Sequence, residues 1–240
     1  MDKGLVYYTD NRCKERILIV CQEQLKRCMK LYGYPIISVS HYPIDFGTNF
    51  VLNHPRGIIS IYKQTIKGLE ECPTDIIFLV EHDVLYHPSH FNATPSREDV
   101  FCFDVNKWYV SAATGQALTY YGSDESLMCA YRELLLRHFH KALEQEEKYG
   151  HDRSLGFTPP KGVPVKDRIG GVESYKAAFP SIHINHSRNF TYKRMKREQF
   201  RQQPKDWMEA DEIPGWGKTK GRFNEFLNDI GRSDQPKEVS

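Results

Sequence analysis

The feature that most constrains the fold is an unbroken apolar run, Ile76 to Val80, which ends directly at Glu81, His82 and Asp83. An apolar run without alternation is typical of a strand that is buried on both faces of a parallel sheet. Parallel strands need long crossover connections, which are usually helices. The run therefore predicts an α/β sheet in which one central strand ends in a group of polar residues.

The segments before this run alternate between strand and helix patterns. The stretches "GLVYYT" (4–9) and "IISVSHY" (36–42) are β-rich and end at turn-forming residues. Apolar residues recur at helical spacing between residues 18 and 28 and again between residues 58 and 69. With a further strand at 99–105, this order predicts an open, mixed, mostly parallel sheet flanked by helices. Downstream, the pattern predicts one long helix over 126–149 and a short strand in "PSIHINHSRN".

Composition narrows the class of protein. The 240 residues are 40% hydrophobic and carry a formal net charge of +2, which argues against a disordered acidic chain and a strongly basic nucleic-acid coat. No apolar run approaches the length of a membrane span, and the N-terminus does not resemble a secretory signal. We therefore expect a cytoplasmic protein without membrane contact, whose six cysteines are free thiols.

Polar residues follow each of the first three predicted strands. In open α/β sheets, ligands bind outside the carboxyl ends of the strands. Because alternate residues of an extended segment point the same way, Glu81 and Asp83 are expected to face one pocket while His82 turns away. Carboxylates with a nearby imidazole suit a divalent cation. The alternative is that these residues are simply solvated, and His87 and His90 could be ligands or ordinary loop contacts.

The blocks around this cluster resemble a known family. An acidic-x-Asp triplet that ends a buried strand after β-α-β-α-β resembles the Asp-x-Asp motif of GT-A-fold (Rossmann-like) glycosyltransferases. Together, "YYTDNR", "IISVSHYPIDFG", "FLVEHDVLYHPSHF", "CAYRELLL" and "INHSRNFT" resemble small glycosyltransferase-like proteins of bacteria and phages. Some phage relatives are thought to put sugars on hydroxymethylated DNA pyrimidines. The likeness covers roughly Gly4 to Thr191.

This resemblance implies a metal-dependent transfer of sugar from a nucleotide-sugar donor, UDP-linked, to a hydroxyl acceptor. It implies that Asp83 and His186 bind Mn²⁺ or Mg²⁺, and that Glu81 contacts the metal site or the ribose. By strand parity, His183 is not expected to face the site together with His186. The residues expected to contact the base and ribose of the donor are Asp10, Asn11 and Asp45.

An inverting enzyme also needs a carboxylate that removes the acceptor proton, whereas a retaining enzyme does not. The candidates lie in "GSDESLMCAYREL", and the resemblance of the "CAYREL" block favours Glu133, with Asp124 second. We expect a single domain over residues 1–230, with a nucleotide-binding half (1–106) and an acceptor half (107–230). Residues 231–240 are expected to form a flexible tail.

The sequence leaves the acceptor and the reaction class open. Between Ser187 and Lys205 there are seven Lys or Arg and one Glu, interleaved with Phe190, Tyr192 and Phe200, so DNA is a possible acceptor. The first alternative to a glycosyltransferase is a metal-dependent hydrolase that uses the same triplet with His87 and His90. The second alternative is a nucleotide-binding protein that keeps the fold without catalysis.

Overall fold

The computed structural model describes residues 1–150, 169–189 and 194–232. Phe190, Tyr192 and the predicted tail from residue 233 onward lie outside these ranges. The helices are α1 (Glu15–Tyr32), α2 (Ile58–Glu71), α3 (Arg132–Tyr149) and α4 (Phe223–Arg232). The strands are β1 (Lys3–Thr9), β2 (Ile36–Ser40), β3 (Thr48–Val51), β4 (Ile76–Glu81), β5 (Val84–Leu85), β6 (Val100–Asp104), β7 (Lys107–Ser111), β8 (Ala117–Thr119), β9 (Met128–Tyr131), β10 (Gly171–Tyr175), β11 (Ser181–Asn185), β12 (Met208–Ala210), β13 (Glu212–Ile213) and β14 (Gly217–Lys218).

Within the described ranges, the larger sheet has seven strands in the order β10-β6-β9-β4-β1-β2-β3. β1 pairs in parallel with β2 and β4, β2 with β3, and β10 with β6, whereas β9 is antiparallel to both of its neighbours. The predicted fold class, a mixed and mostly parallel α/β sheet with flanking helices, is confirmed. The chain leaves β1 in one direction to β2 and later returns to its other side as β4, which makes the β1–β4 boundary the switch point where such sheets bind ligands.

The predicted helix over 126–149 begins later than expected. Met128–Tyr131 is strand β9, which fills the gap between β4 and β6, and α3 starts only at Arg132. These four residues are apolar or aromatic and mostly buried, a pattern that fits a strand as well as a helix turn. Because β9 runs antiparallel to β4, it carries the chain from the end of the sheet where β4 finishes back toward the end where β4 begins.

Both faces of the large sheet are covered by helices, as its apolar strands require. Along β1, Leu5 and Tyr7 belong to a core that includes residues of α1, whereas Val6 belongs to a core with α2 and α3. α2 packs very closely, because a Cβ at Gly68 would lie 2.4 Å from Cγ1 of Val6. This alternation anchors α1 and α2 on opposite faces and fixes both beside the carboxyl end of β1.

The described residues also form a five-stranded sheet in the order β12-β8-β7-β11-β5, covered by α1 and α4. Its edge strand β5 is separated from the end of β4 by two residues, and β5 pairs antiparallel with β11. The two predicted halves therefore share their sheets, since β9 and β10 follow residue 106 yet belong to the larger one. The segment expected to form the tail begins inside α4, which extends to Arg232. None of the described helices is long and apolar enough to cross a bilayer.

Candidate active site

A cavity of about 220 Å³ opens at the carboxyl ends of β1 and β4. One side is formed by the end of β1 and the first two turns of α2, and the other by the β4–β5 turn, Glu125–Ser126 and the end of β11. The register pairs Tyr8 with Glu81, so the two parallel strands end at the same level. The position is the one that the switch-point argument requires.

All three residues of the Glu81–Asp83 triplet line this cavity. The expectation that His82 turns away is wrong, because β4 ends at Glu81 and the next two residues form a turn, where strand alternation no longer applies. Glu81 is held in place by the hydroxyl of Tyr8, which donates to Oε1 at 2.7 Å, while the backbone N–H of Glu81 donates to the hydroxyl of Tyr86 at 2.9 Å.

Asp83 lines the cavity, and its carboxylate contacts the imidazole of His186, which does not line the cavity itself. Oδ2 of Asp83 is 3.5 Å from Nε2 of His186, and it also accepts a hydrogen bond from the side-chain amide of Asn189. Burial by itself would raise the pKa of Asp83, but the hydrogen bond from His186 and the nearby imidazoles of His82 and His183 outweigh it, so the pKa is lowered. Asp83 is therefore a buried carboxylate that stays ionised.

His186 is oriented by its own turn. Its Nδ1 accepts the backbone N–H of Arg188 at 3.2 Å, which directs Nε2 toward Asp83 and toward the Sγ of Cys13 at 3.6 Å. Of the two histidines only His183 lines the cavity, whereas His186 contacts Asp83 from the turn that follows the end of the strand at Asn185. A buried carboxylate and an imidazole whose facing atoms are 3.5 Å apart fit a divalent cation.

Of the three residues expected to contact the base and ribose of the donor, only Asp10 lines the cavity. The guanidinium of Arg56 donates to the backbone carbonyl of Asp10 at 3.1 Å. Asn11 has φ 59° and uses its side chain structurally, since Oδ1 accepts the backbone N–H groups of His41 and Tyr42 at 2.8 and 3.1 Å. Asp45 is exposed in the β2–β3 connection and does not line the cavity.

The amino end of α2 was not predicted as part of the site. Arg56, Gly57, Ile58 and Ser60 line the cavity, so the unpaired backbone N–H groups of the first turn lie beside it. Together with the guanidinium of Arg56, this end of a 14-residue helix forms an environment that favours an anion. The sequence signal was weak, because the only hint is an Arg-Gly pair before an apolar helical pattern.

The structure separates the two predicted carboxylate bases. Glu133 lies in the first turn of α3 with 72% of its side chain exposed, at the edge where β4 begins rather than where it ends, and it does not line the cavity. Asp124 is partly buried nearer the site, where it accepts hydrogen bonds from Nζ of Lys107 at 2.7 Å and from the hydroxyl of Tyr109. The neighbouring residue Glu125 lines the cavity itself.

The two remaining histidines of the opening segment have other contacts. His87 begins a short 3-10 helix, where its Nδ1 accepts the backbone N–H of Ser89 at 3.2 Å. His90 is fully buried, and its Nδ1 lies 3.0 Å from Oδ2 of Asp104. Neither lines the cavity. The hydrolase alternative needs His87 and His90 as metal ligands beside the Glu81–Asp83 triplet, and the structure does not place these two histidines in the cavity that the triplet lines.

Comparison with known proteins adds little to this geometry. No protein-family model matches the chain, and no curated protein matches it in sequence. Among solved structures, the chain is similar to a glycosyltransferase involved in the glycosylation of the major capsid of PBCV-1, with 9% identity, 73% of this chain and 82% of that one covered, and a TM-score of 0.47. It is also similar to HddC from Yersinia pseudotuberculosis, with 9% identity, 76% and 93% coverage, and a TM-score of 0.41. Values at this level carry no information about activity.

Proposed function

We propose that this protein is a metal-dependent glycosyltransferase that moves a sugar from a nucleotide-sugar donor to a hydroxyl acceptor. One observation carries the proposal. A single cavity at the β1–β4 switch point is lined by Asp83, which contacts His186 behind it, and by Arg56 and the amino end of α2. A nucleoside diphosphate linked to a sugar needs both features, a cation site and an environment that favours anions.

The cation would be bound by Asp83 and His186, with Glu81 at the rim. When present, a divalent cation neutralises the charge that develops on the departing diphosphate. The protein's own part is to hold the donor atoms in place. Asn189 fixes the Asp83 carboxylate, Tyr8 fixes Glu81, and the Arg188 backbone fixes the His186 ring. These three contacts reduce the reorganisation of the side chains that binding of the cation would otherwise need.

The donor's diphosphate would lie between this site and the first turn of α2. Arg56 and the free N–H groups of that turn supply positive potential without any further movement of the backbone. Asp10 lies beside Arg56 at the end of β1, where it is suited to accept hydrogen bonds from the ribose hydroxyls or the base. Asn11 contributes indirectly, because it joins the ends of β1 and β2.

Glu125 is our candidate for the base that removes the acceptor proton. It lines the same cavity as Glu81 and Asp83, whereas Glu133 lies at the opposite edge of the sheet. Asp124 is a weaker candidate, since the hydrogen bonds from Lys107 and Tyr109 stabilise its ionised form. A base must be able to take up a proton near the working pH.

DNA remains our candidate acceptor class. Next to Asp124, Tyr109 stacks on Tyr120 and Tyr120 on Trp207, with centroids 5.0 and 5.9 Å apart. The guanidinium groups of Arg194 and Arg197 lie over the rings of Phe200 and Trp207. Tyr109 is buried, but the rings of Tyr120, Phe200 and Trp207 are partly exposed, and such rings beside exposed cations suit stacked bases and a phosphate backbone. His183, which lines the cavity, stacks on Tyr109 and so connects this surface with the site.

The test is a thermal-shift screen of nucleoside diphosphates and nucleotide sugars, with and without a divalent cation, followed by measurement of nucleotide-sugar turnover. A donor that binds the folded protein raises its apparent stability. We expect one class of nucleotide sugar to stabilise the protein only with the cation and to be turned over. Binding without turnover in the presence of any acceptor would favour the non-catalytic alternative, and no binding at all would remove the proposal.

A further inference from the structure

The cation site contains two donor groups that a site for Mg²⁺ or Mn²⁺ does not need. Cys13, His82 and His186 each offer a ligand atom, and these three atoms lie within 4.8 Å of one another. Cys13 precedes α1, His82 follows β4 and His186 follows β11, so three separate segments converge. Such convergence of a thiol and two imidazoles is not a consequence of local sequence.

One nitrogen of the cluster is buried without a hydrogen bond to any residue that the structure describes. Nδ1 of His82 is buried and has no hydrogen-bond partner among the described residues. Burying a polar nitrogen without a partner costs free energy, which is normally recovered by a protein group, a water or an ion. The ring of His82 lies 6.5 Å from that of His186, and both histidines belong to the same cluster. An ion at this point would give the ring a partner.

The separations match the size of one particular kind of site. Around a tetrahedral zinc ion with ordinary bond lengths, a sulfur and an imidazole nitrogen lie about 3.5 Å apart, and a nitrogen and a carboxylate oxygen about 3.4 Å apart. Sγ of Cys13 lies 3.6 Å from Nε2 of His186, and that nitrogen lies 3.5 Å from Oδ2 of Asp83. These donors are already close to the spacing that a shared Zn²⁺ would impose.

Donor chemistry points to the same ion. Mg²⁺ takes oxygen ligands in octahedral geometry, and thiolate ligands select zinc and other softer metals. We propose that the cation of this site is Zn²⁺, ligated by Cys13, His82 and His186, with Asp83 as the adjacent oxygen donor. This inference rests on the proposed function only for what the ion does, since the binding itself depends on these side chains alone.

The competing interpretation is a hydrogen-bonded chain without metal. Nδ1 of His186 accepts the N–H of Arg188, so in the metal-free state Nε2 carries a proton that it can donate to Asp83. Cys13, Asp83 and His186 would then satisfy one another. This interpretation leaves His82 unexplained, and it predicts no preference of the protein for any divalent ion.

The test measures metal binding without sugar transfer. The purified protein is stripped with a chelator, and its affinities for Zn²⁺ and Mn²⁺ are measured by competition with a chromophoric chelator. Co²⁺ is then added as a spectroscopic substitute for zinc, and the near-ultraviolet sulfur-to-cobalt charge-transfer band is recorded. We expect about one Zn²⁺ per chain, an affinity at least about 100-fold greater than that for Mn²⁺, and a clear band.

Matched variants assign the ligands. Cys13→Ser should abolish the band and weaken Zn²⁺ binding at least about tenfold, whereas Cys21→Ser, another buried thiol on the same side of the molecule, should leave both unchanged. His82→Gln should weaken Zn²⁺ binding while it keeps the band, which protects the test if Cys13→Ser fails to fold. Equal affinity for Mn²⁺ and Zn²⁺, or a band that survives Cys13→Ser, would overturn the proposal.

The two proposals can fail separately. Nucleotide-sugar turnover that is supported by Mn²⁺, without a cobalt band, would leave the glycosyltransferase proposal intact and remove the zinc site. A cobalt band that depends on Cys13, in a protein that binds no nucleotide, would do the opposite.

Discussion

Nε2 of His186 lies 3.5 Å from Oδ2 of Asp83, although the first residue follows β11 of the five-stranded sheet and the second follows β4 of the seven-stranded sheet. A backbone hydrogen bond of 2.9 Å from the N–H of Ile184 to the carbonyl of Asp83 keeps the two segments in register. The two sheets therefore meet at the proposed cation site, and its geometry depends on their correct packing.

Substitution of His186 should separate the glycosyltransferase proposal from the hydrolase alternative. We expect His186→Ala to lose most of its divalent-cation affinity, because Nε2 lies 3.5 Å from Oδ2 of Asp83. His87→Ala is the matched control, since His87 contacts Ser89 and Phe179 outside the cavity. Calorimetric titration with the metal checks both variants. The opposite pattern, with loss in His87→Ala only, would restore the hydrolase.

Arg56 should contribute to binding of the donor's diphosphate. Arg56→Ala is expected to weaken binding of a nucleoside diphosphate roughly 5- to 100-fold, because a charge-assisted hydrogen bond is lost beside a helix amino end. Arg97 pairs with Asp99 away from the cavity, so Arg97→Ala should bind as the wild type does. Fluorescence titration with a labelled nucleotide measures the difference. Equal affinities in the two variants would contradict the assignment.

Substitution of Glu125 should lower turnover, whereas substitution of Glu133 should not. Loss of a general base typically costs about 10²- to 10⁴-fold in rate, so Glu125→Gln should lower kcat by that range while nucleotide binding is retained. Glu133→Gln should have kcat near the wild-type value, since Glu133 lies at the far edge of the sheet. A large loss in Glu133→Gln alone would show that the choice of base from the "CAYREL" block was correct.

Asn11 is expected to matter for stability. Its φ of 59° is tolerated by asparagine, and its Oδ1 accepts two backbone N–H groups at the end of β2. Asn11→Ala should therefore lower the free energy of unfolding by about 1–3 kcal/mol. Asn11→Asp keeps the acceptor oxygen and should lose less. Urea denaturation measures both, and an alanine variant within about 0.5 kcal/mol of the wild type would refute the structural role.

The buried imidazole of His138 should contribute to the pH dependence of the free energy of unfolding. Burial lowers its pKa to about 4, so between roughly pH 6.5 and pH 4 the unfolded chain binds a proton that the folded protein does not. Stability is therefore lost as the pH falls through this window, by about 2 kcal/mol between pH 7 and pH 5. His138→Leu should show a correspondingly smaller loss in chemical denaturation at the two pH values. Identical losses in both proteins would count against the buried neutral histidine.

The sequence was informative where one physical rule dominated. The uninterrupted apolar run of β4 predicts burial on both faces, and the position of Glu81 and Asp83 at its end follows from the topology of parallel sheets. The downstream "INHS" block carries His186, which the structure brings to Asp83. The position of Glu81 and Asp83 follows from strand topology, whereas the assignment of His186 rests on the resemblance of its block, because β11 belongs to the five-stranded sheet.

The rest depended on tertiary structure. β9 was hidden because four apolar residues fit either periodicity, and only the gap between β4 and β6 makes them a strand. As a result, Glu133 lies at the end of the sheet where β4 begins, away from the cavity that Glu125 lines. His82 was misplaced because alternation stops where the strand stops. Arg56 had only a weak local signal and Asn189 had none, since they reach the site through the packing of α2 and the turn after β11.

The most direct test of the central claim is the binding of UDP to the wild type and to Asp83→Asn, each measured with a divalent cation and with excess chelator. We predict that the wild type binds UDP at least about tenfold more tightly with the cation, and that Asp83→Asn binds it as weakly as the chelated wild type does. UDP binding that is unchanged by the chelator and by Asp83→Asn would contradict a cation site at Asp83.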